Sequence, residues 1–136
     1  MSWLLDVNLL LASRWTTHPD HLAAKAWIDS VDKFYTTAIV ELGFVRISLS
    51  AAYRADWDET QETLKRLHGR PGYVFLADDL DGTALPETGS QDTTDAHLVT
   101  LAKRHGLKLA TLDRTLLAKP WAAGVAEHPL PQPIKS

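Results

Sequence analysis

The stretch TDAHLVTLAKRHGLKLATLD, residues 94–113, decides the fold class. Asp95 opens a helix in which Leu98, Val99, Leu101 and Ala102 recur at helical spacing. His105 and Gly106 end it, a basic last turn followed by a glycine stop. Leu107, Leu109 and Ala110 then form a short apolar run suited to a buried strand, which Asp113 closes. About eleven helical residues rise roughly 16 Å, and about five strand residues return roughly the same distance. The chain leaves one edge of a sheet and comes back to it, so Asp95 and Asp113 are expected to face each other there. Two carboxylates at one sheet edge suggest a site.

The other half of that site is to be sought near the start of the chain. Trp3-Leu4-Leu5 is a short apolar run, followed by Asp6-Val7-Asn8 and then Leu9-Leu10-Leu11-Ala12. Strand, acidic turn and helix is the natural reading, with Asp6 at the C-terminal end of the strand, where open α/β sheets form their sites. The alternative is that Asp6 or Asn8 only caps the helix. Lys33–Thr36 reads as a second strand, Thr37 as an N-cap, and Ala38 to about Tyr53 as a helix carrying Glu41. Ala38, Phe44 and Val45 surround Glu41 on that helix, so its carboxylate shares an apolar stripe and calls for a partner. That partner is either an Arg or Lys from elsewhere or a site.

Between and beyond these segments the chain alternates helices, turns and strands. His18 to Val31 is a helix with Pro19 in its first turn, and His18 and His21 read as helix-start residues rather than metal ligands. Asp58 is the expected cap of a helix running to about His68. Tyr73–Ala77 reads as a buried strand, and Asp78, Asp79 and Asp81 as solvated turn residues, since calcium-loop spacing is lacking. Asp92 belongs either to the site or to the entry of the next helix, and entry is the preferred reading. Arg114 to Ala118 make one helical turn, Val125 to Leu130 a last edge strand, and Pro131 to Pro133 an extended tail.

The 136 residues make a single domain, 1–136, large enough to bury a core. With no cysteine, neither a disulfide framework nor a thiolate metal site is possible. No apolar run approaches the ~18 residues of a membrane helix, and a cytoplasmic location is expected. A net charge of −3 argues against a general polyanion-binding module. It is compatible with a nuclease whose clustered carboxylates take a divalent cation.

Asp6, Glu41, Asp95 and Asp113 occupy comparable places at strand ends or helix starts. Two unit negative charges ~5 Å apart repel by roughly 3 kcal/mol at an effective dielectric of ~20. Four together call for a counter-charge. Oxygen-only ligands favour Mg²⁺, with Mn²⁺ as a substitute, and phosphodiester hydrolysis is the natural chemistry. Arg14, Arg46 and Arg114 fall near the expected edge and are candidates for phosphate contact, the alternative being solvated surface arginines.

LLDVNLLLA at 4–12, ELGFVR at 41–46, TDAHLVTLA at 94–102 and LATLD at 109–113 resemble the PIN-domain ribonucleases, specifically the VapC-type toxins of bacterial toxin–antitoxin pairs. The pattern His18-Pro19…His21…Ala24…Trp27 is also similar, and the resemblance covers nearly the whole chain. By that resemblance Asp6, Glu41, Asp95 and Asp113 correspond to the family's acidic quartet, catalytic and metal-binding, with Thr111 a supporting hydroxyl beside the site. Asn8 stands where many relatives carry Ser or Thr. The resemblance further implies a three-layer αβα sandwich around a central parallel sheet, a homodimer, an RNA substrate, and a VapB-type antitoxin partner. Two other readings compete with the endoribonuclease toxin. One is a phosphatase with Asp6 as nucleophile, disfavoured by Asn8 in place of a second acid. The other is a non-catalytic RNA- or protein-binding domain of the same fold.

Overall fold

The computed structural model describes residues 1–131, so the glutamine and second proline of the expected tail lie outside it. Five short strands form one sheet: β1 (Trp3–Leu5), β2 (Phe34–Thr36), β3 (Tyr73–Phe75), β4 (Lys108–Ala110) and β5 (Ala126–Glu127). Its order is β3-β2-β1-β4-β5, and every pairing is parallel. Parallel neighbours need crossovers, and helices supply them: α1 (Val7–Arg14), α2 (His21–Ser30), α3 (Ala38–Leu49), α4 (Trp57–His68), α5 (Thr93–Arg104) and α6 (Arg114–Leu117). From β1 to β3 the strands step to one side of β1, and from β3 through β4 to β5 they step to the other. Right-handed crossovers running in opposite directions cover opposite faces, which gives the three-layer sandwich.

Leucines of adjacent strands and helices make the core. Leu4 lies in register with Tyr35 and Leu109, and Leu5 with Ala110. Leu4, Leu5, Leu9, Leu10, Phe34, Phe44, Leu101 and Leu109 are all fully buried around them. The ring of Trp15 stacks on Phe44, and its indole N–H donates to Ser48 Oγ at 2.8 Å, fastening the end of α1 to α3. Gly43 permits this approach: a Cβ there would stand 3.2 Å from Val7 Cγ2.

Several boundaries differ from the sequence reading. The cap of α4 is Asp56, which accepts from Glu59 N–H at 2.7 Å, and Asp58 sits inside the first turn. Each residue has a cap-like neighbour three positions on, so spacing alone does not separate them. α2 starts at His21, whose Nδ1 lies 2.9 Å from Ala12 O, and α3 stops at Leu49. β3 is an edge strand with Phe75 half exposed, not a buried one. Asp78 and Asp79 are exposed, as the sequence reading has them, and each also has a partner: His97 meets Asp78, while His105 and Arg104 meet Asp79. These pairs bind the 76–92 loop to α5.

Candidate active site

The strand order reverses at β1, so the chain departs in opposite directions from the C-terminal ends of β1 and β4 and leaves a crevice there. Asp6 follows β1 directly. Its N–H donates to Ala110 O at 2.9 Å, extending the ladder by one residue and bringing Asp6 beside the end of β4. As N-cap of α1, Asp6 uses Oδ1 to accept from Val7 N–H at 2.7 Å. Oδ2 accepts from the Thr111 hydroxyl, also at 2.7 Å. Capping and site are therefore one arrangement. Only 4 % of Asp6 is exposed, and this burial pushes its pKa up against the pull of the two hydrogen bonds, with Asp113 adding to the rise.

Thr111 is the junction of the edge. Fully buried, it also accepts from Asp113 N–H at 3.1 Å and from the Asn8 amide at 3.4 Å. Asn8 returns the tie by accepting from Leu112 N–H at 3.1 Å. Asp113 caps α6 through Oδ1, accepting from Thr115 and Leu116 N–H at 2.9 and 3.1 Å.

Asp95 stands in the first turn of α5, three residues past the N-cap Asp92. Among the described residues it has no hydrogen-bond or ion-pair partner. Burial, then the charges of Asp6, Asp113 and Asp92, push its carboxyl up to about 6, against an opposing effect from Lys119. Asp6, Asp95 and Asp113 thus form one electrostatic group. Asp6 and Asp95 share a cavity of about 490 Å³ with Val7, Gly43, Arg46 and Leu98, so Arg46 brings a cation to the same space. A larger open depression of about 810 Å³ is lined by Ser2, Lys108 and Gly124 at the opposite end of the strands and holds no acid.

Glu41 and Arg14 fall elsewhere. Glu41 faces away, and both its oxygens are engaged by Thr36, His68 and Tyr73. Its partner is neither the Arg nor the Lys weighed from sequence. Arg14 does not lie near the edge. It ends α1, and eight helical residues carry it about 12 Å down from Asp6. There its Nε donates to Ser13 Oγ at 3.1 Å, and Asp29 and Arg70 are the charges acting on it. Arg114 follows Asp113 directly in α6. Lys119 is a cationic neighbour of the acids with no sequence signal: it pairs with Asp92 at 3.0 Å and its charge acts on Asp95.

Among the described residues, no three Asp, Glu, His or Cys side chains converge closely enough to enclose a metal ion as they stand. The donor chemistry nonetheless suits a hard divalent cation. Carboxylates are the acidic donors at this edge, and Asp95, raised by burial and then by its acidic neighbours and left unpaired, is the group a cation would relieve.

Known proteins resemble this chain in sequence and in fold. The PIN-domain family profile matches residues 3–121. Ribonuclease VapC38 of Mycobacterium tuberculosis is 37 % identical over 121 residues, covering 81 % of this chain and 84 % of that protein. Ribonuclease VapC39 of the same species is 34 % identical over 93 % of this chain and 99 % of its own length. Among solved structures, the M. tuberculosis VapC20, described as a sarcin–ricin loop cleaving toxin, superposes with a TM-score of 0.66 at 13 % identity over 85 % of this chain and 93 % of its own. FitAcB from Neisseria gonorrhoeae gives 0.62 at 21 % identity, over 93 % and 97 % of the two chains. At such identities these two speak for the fold, and the sequence relatives for the lineage. The chain belongs to the PIN-domain family, within its group of VapC ribonuclease toxins.

Proposed function

We propose that this chain is a divalent-metal-dependent endoribonuclease and acts as the toxin of a VapB–VapC pair. The observation that carries the reading is the coupled carboxylate group of Asp6, Asp95 and Asp113 at the switch point between β1 and β4, in a chain with ribonuclease relatives. Asp6, Asp95 and Asp113 would hold Mg²⁺ or Mn²⁺. When bound, such an ion supplies a Lewis acid that makes a water nucleophilic and offsets charge developing on the phosphate.

The chain's own residues supply position. Thr111 and Val7 N–H fix Asp6 from two sides, so its carboxylate orientation is set before substrate arrives. Asp113 is oriented by its cap bonds to α6 and by Thr111. Asp95 is the adjustable acid, and it takes or releases a proton near neutrality in the cation-free site. Arg46 meets a backbone phosphate from the α3 side, with Arg114 and Lys119 as further cations at the edge. Hydrolysis then adds the water oxygen to phosphorus and breaks the bond to the departing ribose oxygen.

The same reading takes RNA as substrate, a VapB-type antitoxin as partner and a homodimeric state, with membership of the family as its support. No helix of the described residues is long and apolar enough to cross a membrane, which is compatible with a cytoplasmic toxin. The test is Asp6→Asn: cleavage of RNA is lost while circular dichroism and the melting transition remain native-like. Full cleavage by that folded variant would overturn the proposal.

A further inference from the structure

Glu41 belongs to a cluster that the acid site does not include. Its Oε1 lies 2.9 Å from His68 Nε2, and its Oε2 accepts from the Tyr73 hydroxyl at 2.8 Å and from the Thr36 hydroxyl. Thr36 and Tyr73 are themselves 3.0 Å apart, and the His68 ring stacks on Tyr73 with centroids 4.7 Å apart and planes at 17°. Thr36 ends β2, His68 ends α4 and Tyr73 begins β3, so one carboxylate gathers three elements.

The helix geometry sets this cluster apart from the cavity of Asp6 and Asp95. On α3 that cavity is lined by Ile39, Val40, Leu42, Gly43 and Arg46. Glu41 lies about 200° round the helix from both Ile39 and Gly43. It faces instead a depression formed with Gln61, Leu64 and Phe75. To reach a cation at the sheet edge, Glu41 would have to give up its bonds to Thr36, Tyr73 and His68 together.

We propose that the metal-holding acids of this chain are three, Asp6, Asp95 and Asp113, and that Glu41 is the bridge fastening α3 to α4 and the edge strand β3 through Thr36, His68 and Tyr73. The inference rests on the metal-dependent reading above and departs from a four-acid site. His68 and Tyr73 are then structural partners of an acid that the sequence motif alone assigns to the metal.

Two measurements on the purified protein test it. In calorimetric titration with Mn²⁺, Glu41→Gln keeps an affinity within twofold of the parent, whereas Asp95→Asn weakens it at least tenfold. A tenfold loss in folded Glu41→Gln overturns the proposal. In a thermal double-mutant cycle without metal, Glu41→Gln and Tyr73→Phe each lower the melting temperature, and the double variant falls by less than their sum. Additive falls overturn the bridge. Should Glu41→Gln fail to fold, His68→Gln with Tyr73→Phe provides the same cycle, and Mn²⁺ affinity unchanged by either is the expected result. An affinity that rises tenfold when the bridge is loosened would mean that Glu41 joins the metal, and would overturn the inference. A parent protein that takes up no Mn²⁺ defeats the metal-dependent reading, and the metal-free cycle still judges the bridge.

Discussion

Thr111 contributes to the site by being used three times over. Its hydroxyl donates to Asp6 and accepts from Asp113 N–H and Asn8, with no exposure to solvent. Thr111→Val keeps the shape and removes all of these, leaving a buried carboxylate oxygen and an N–H without partners. The expected loss is about 1–3 kcal/mol in urea denaturation; a change below measurement error would contradict the assigned role. Asp95 gives a pH signature. Its carboxyl titrates at about 6 in the fold against an ordinary 3.8, so the fold favours its protonated form. That contribution is fully present below pH ~3.8 and is lost as pH rises through about 6. Melting temperatures of cation-free protein should therefore show a downward component from pH 4 to pH 6.5, and Asp95→Asn should remove it. Identical pH profiles for the two proteins would refute the shift. Asp6, Asp95 and Asp113 were legible in the sequence because an acid at a strand end or helix start has a short-range signature. Lys119 was not: its pairing with Asp92 spans the α5–β4 unit and leaves no periodicity. Arg14 was misplaced because closeness in sequence to Asp6 is not closeness in space along a helix.

At the scale of elements, apolar patterning together with caps and breakers located the five strands and six α-helices of the described residues, the short 3-10 turns at Gly82–Ala84, Ser90–Asp92 and Pro120–Ala122 went unread, and the ends were the weak points. The order strand, acidic turn, helix at the start of the chain and the helix–strand return at 94–113 both hold in the structure. Phe75 shows why β3 was misjudged: an apolar run reads as buried, yet only sheet order reveals that it lies at an edge. Gly72, which turns the chain into that edge strand, has φ +86°, and a Cβ there would lie 2.3 Å from the Asp32 carbonyl oxygen. Backbone meets backbone at that point, so no side-chain rotation relieves it. Gly72→Ala is expected to cost on the order of 3 kcal/mol and to loosen β3 first. Hydrogen exchange at Tyr73–Phe75 would reveal that loosening; unchanged protection there would contradict it.

For the whole molecule, the strand order explains why acids from distant parts of the sequence meet. Reversal at β1 sends the chain off in two directions from the same crevice, and residues 6, 95 and 113 arrive there from three separate units. The family motifs made that convergence legible, whereas the separation of Glu41 was visible only once α3 had a fixed rotation. Convergence of like charges predicts a molecule that gains stability from a cation bound by the native state alone. Mg²⁺ or Mn²⁺ at 100 times its dissociation constant should add about 2.7 kcal/mol at pH 7, seen as a rise in melting temperature that Asp95→Asn abolishes. An equal rise in that variant would place the ion elsewhere. Cleavage of total cellular RNA by the purified, antitoxin-free protein, with Mg²⁺, with EDTA and with Asp95→Asn, decides whether these acids make a metal-dependent nuclease. Discrete fragments that require both the metal and Asp95 are the predicted result, and RNA left intact by the folded, metal-loaded parent would contradict it.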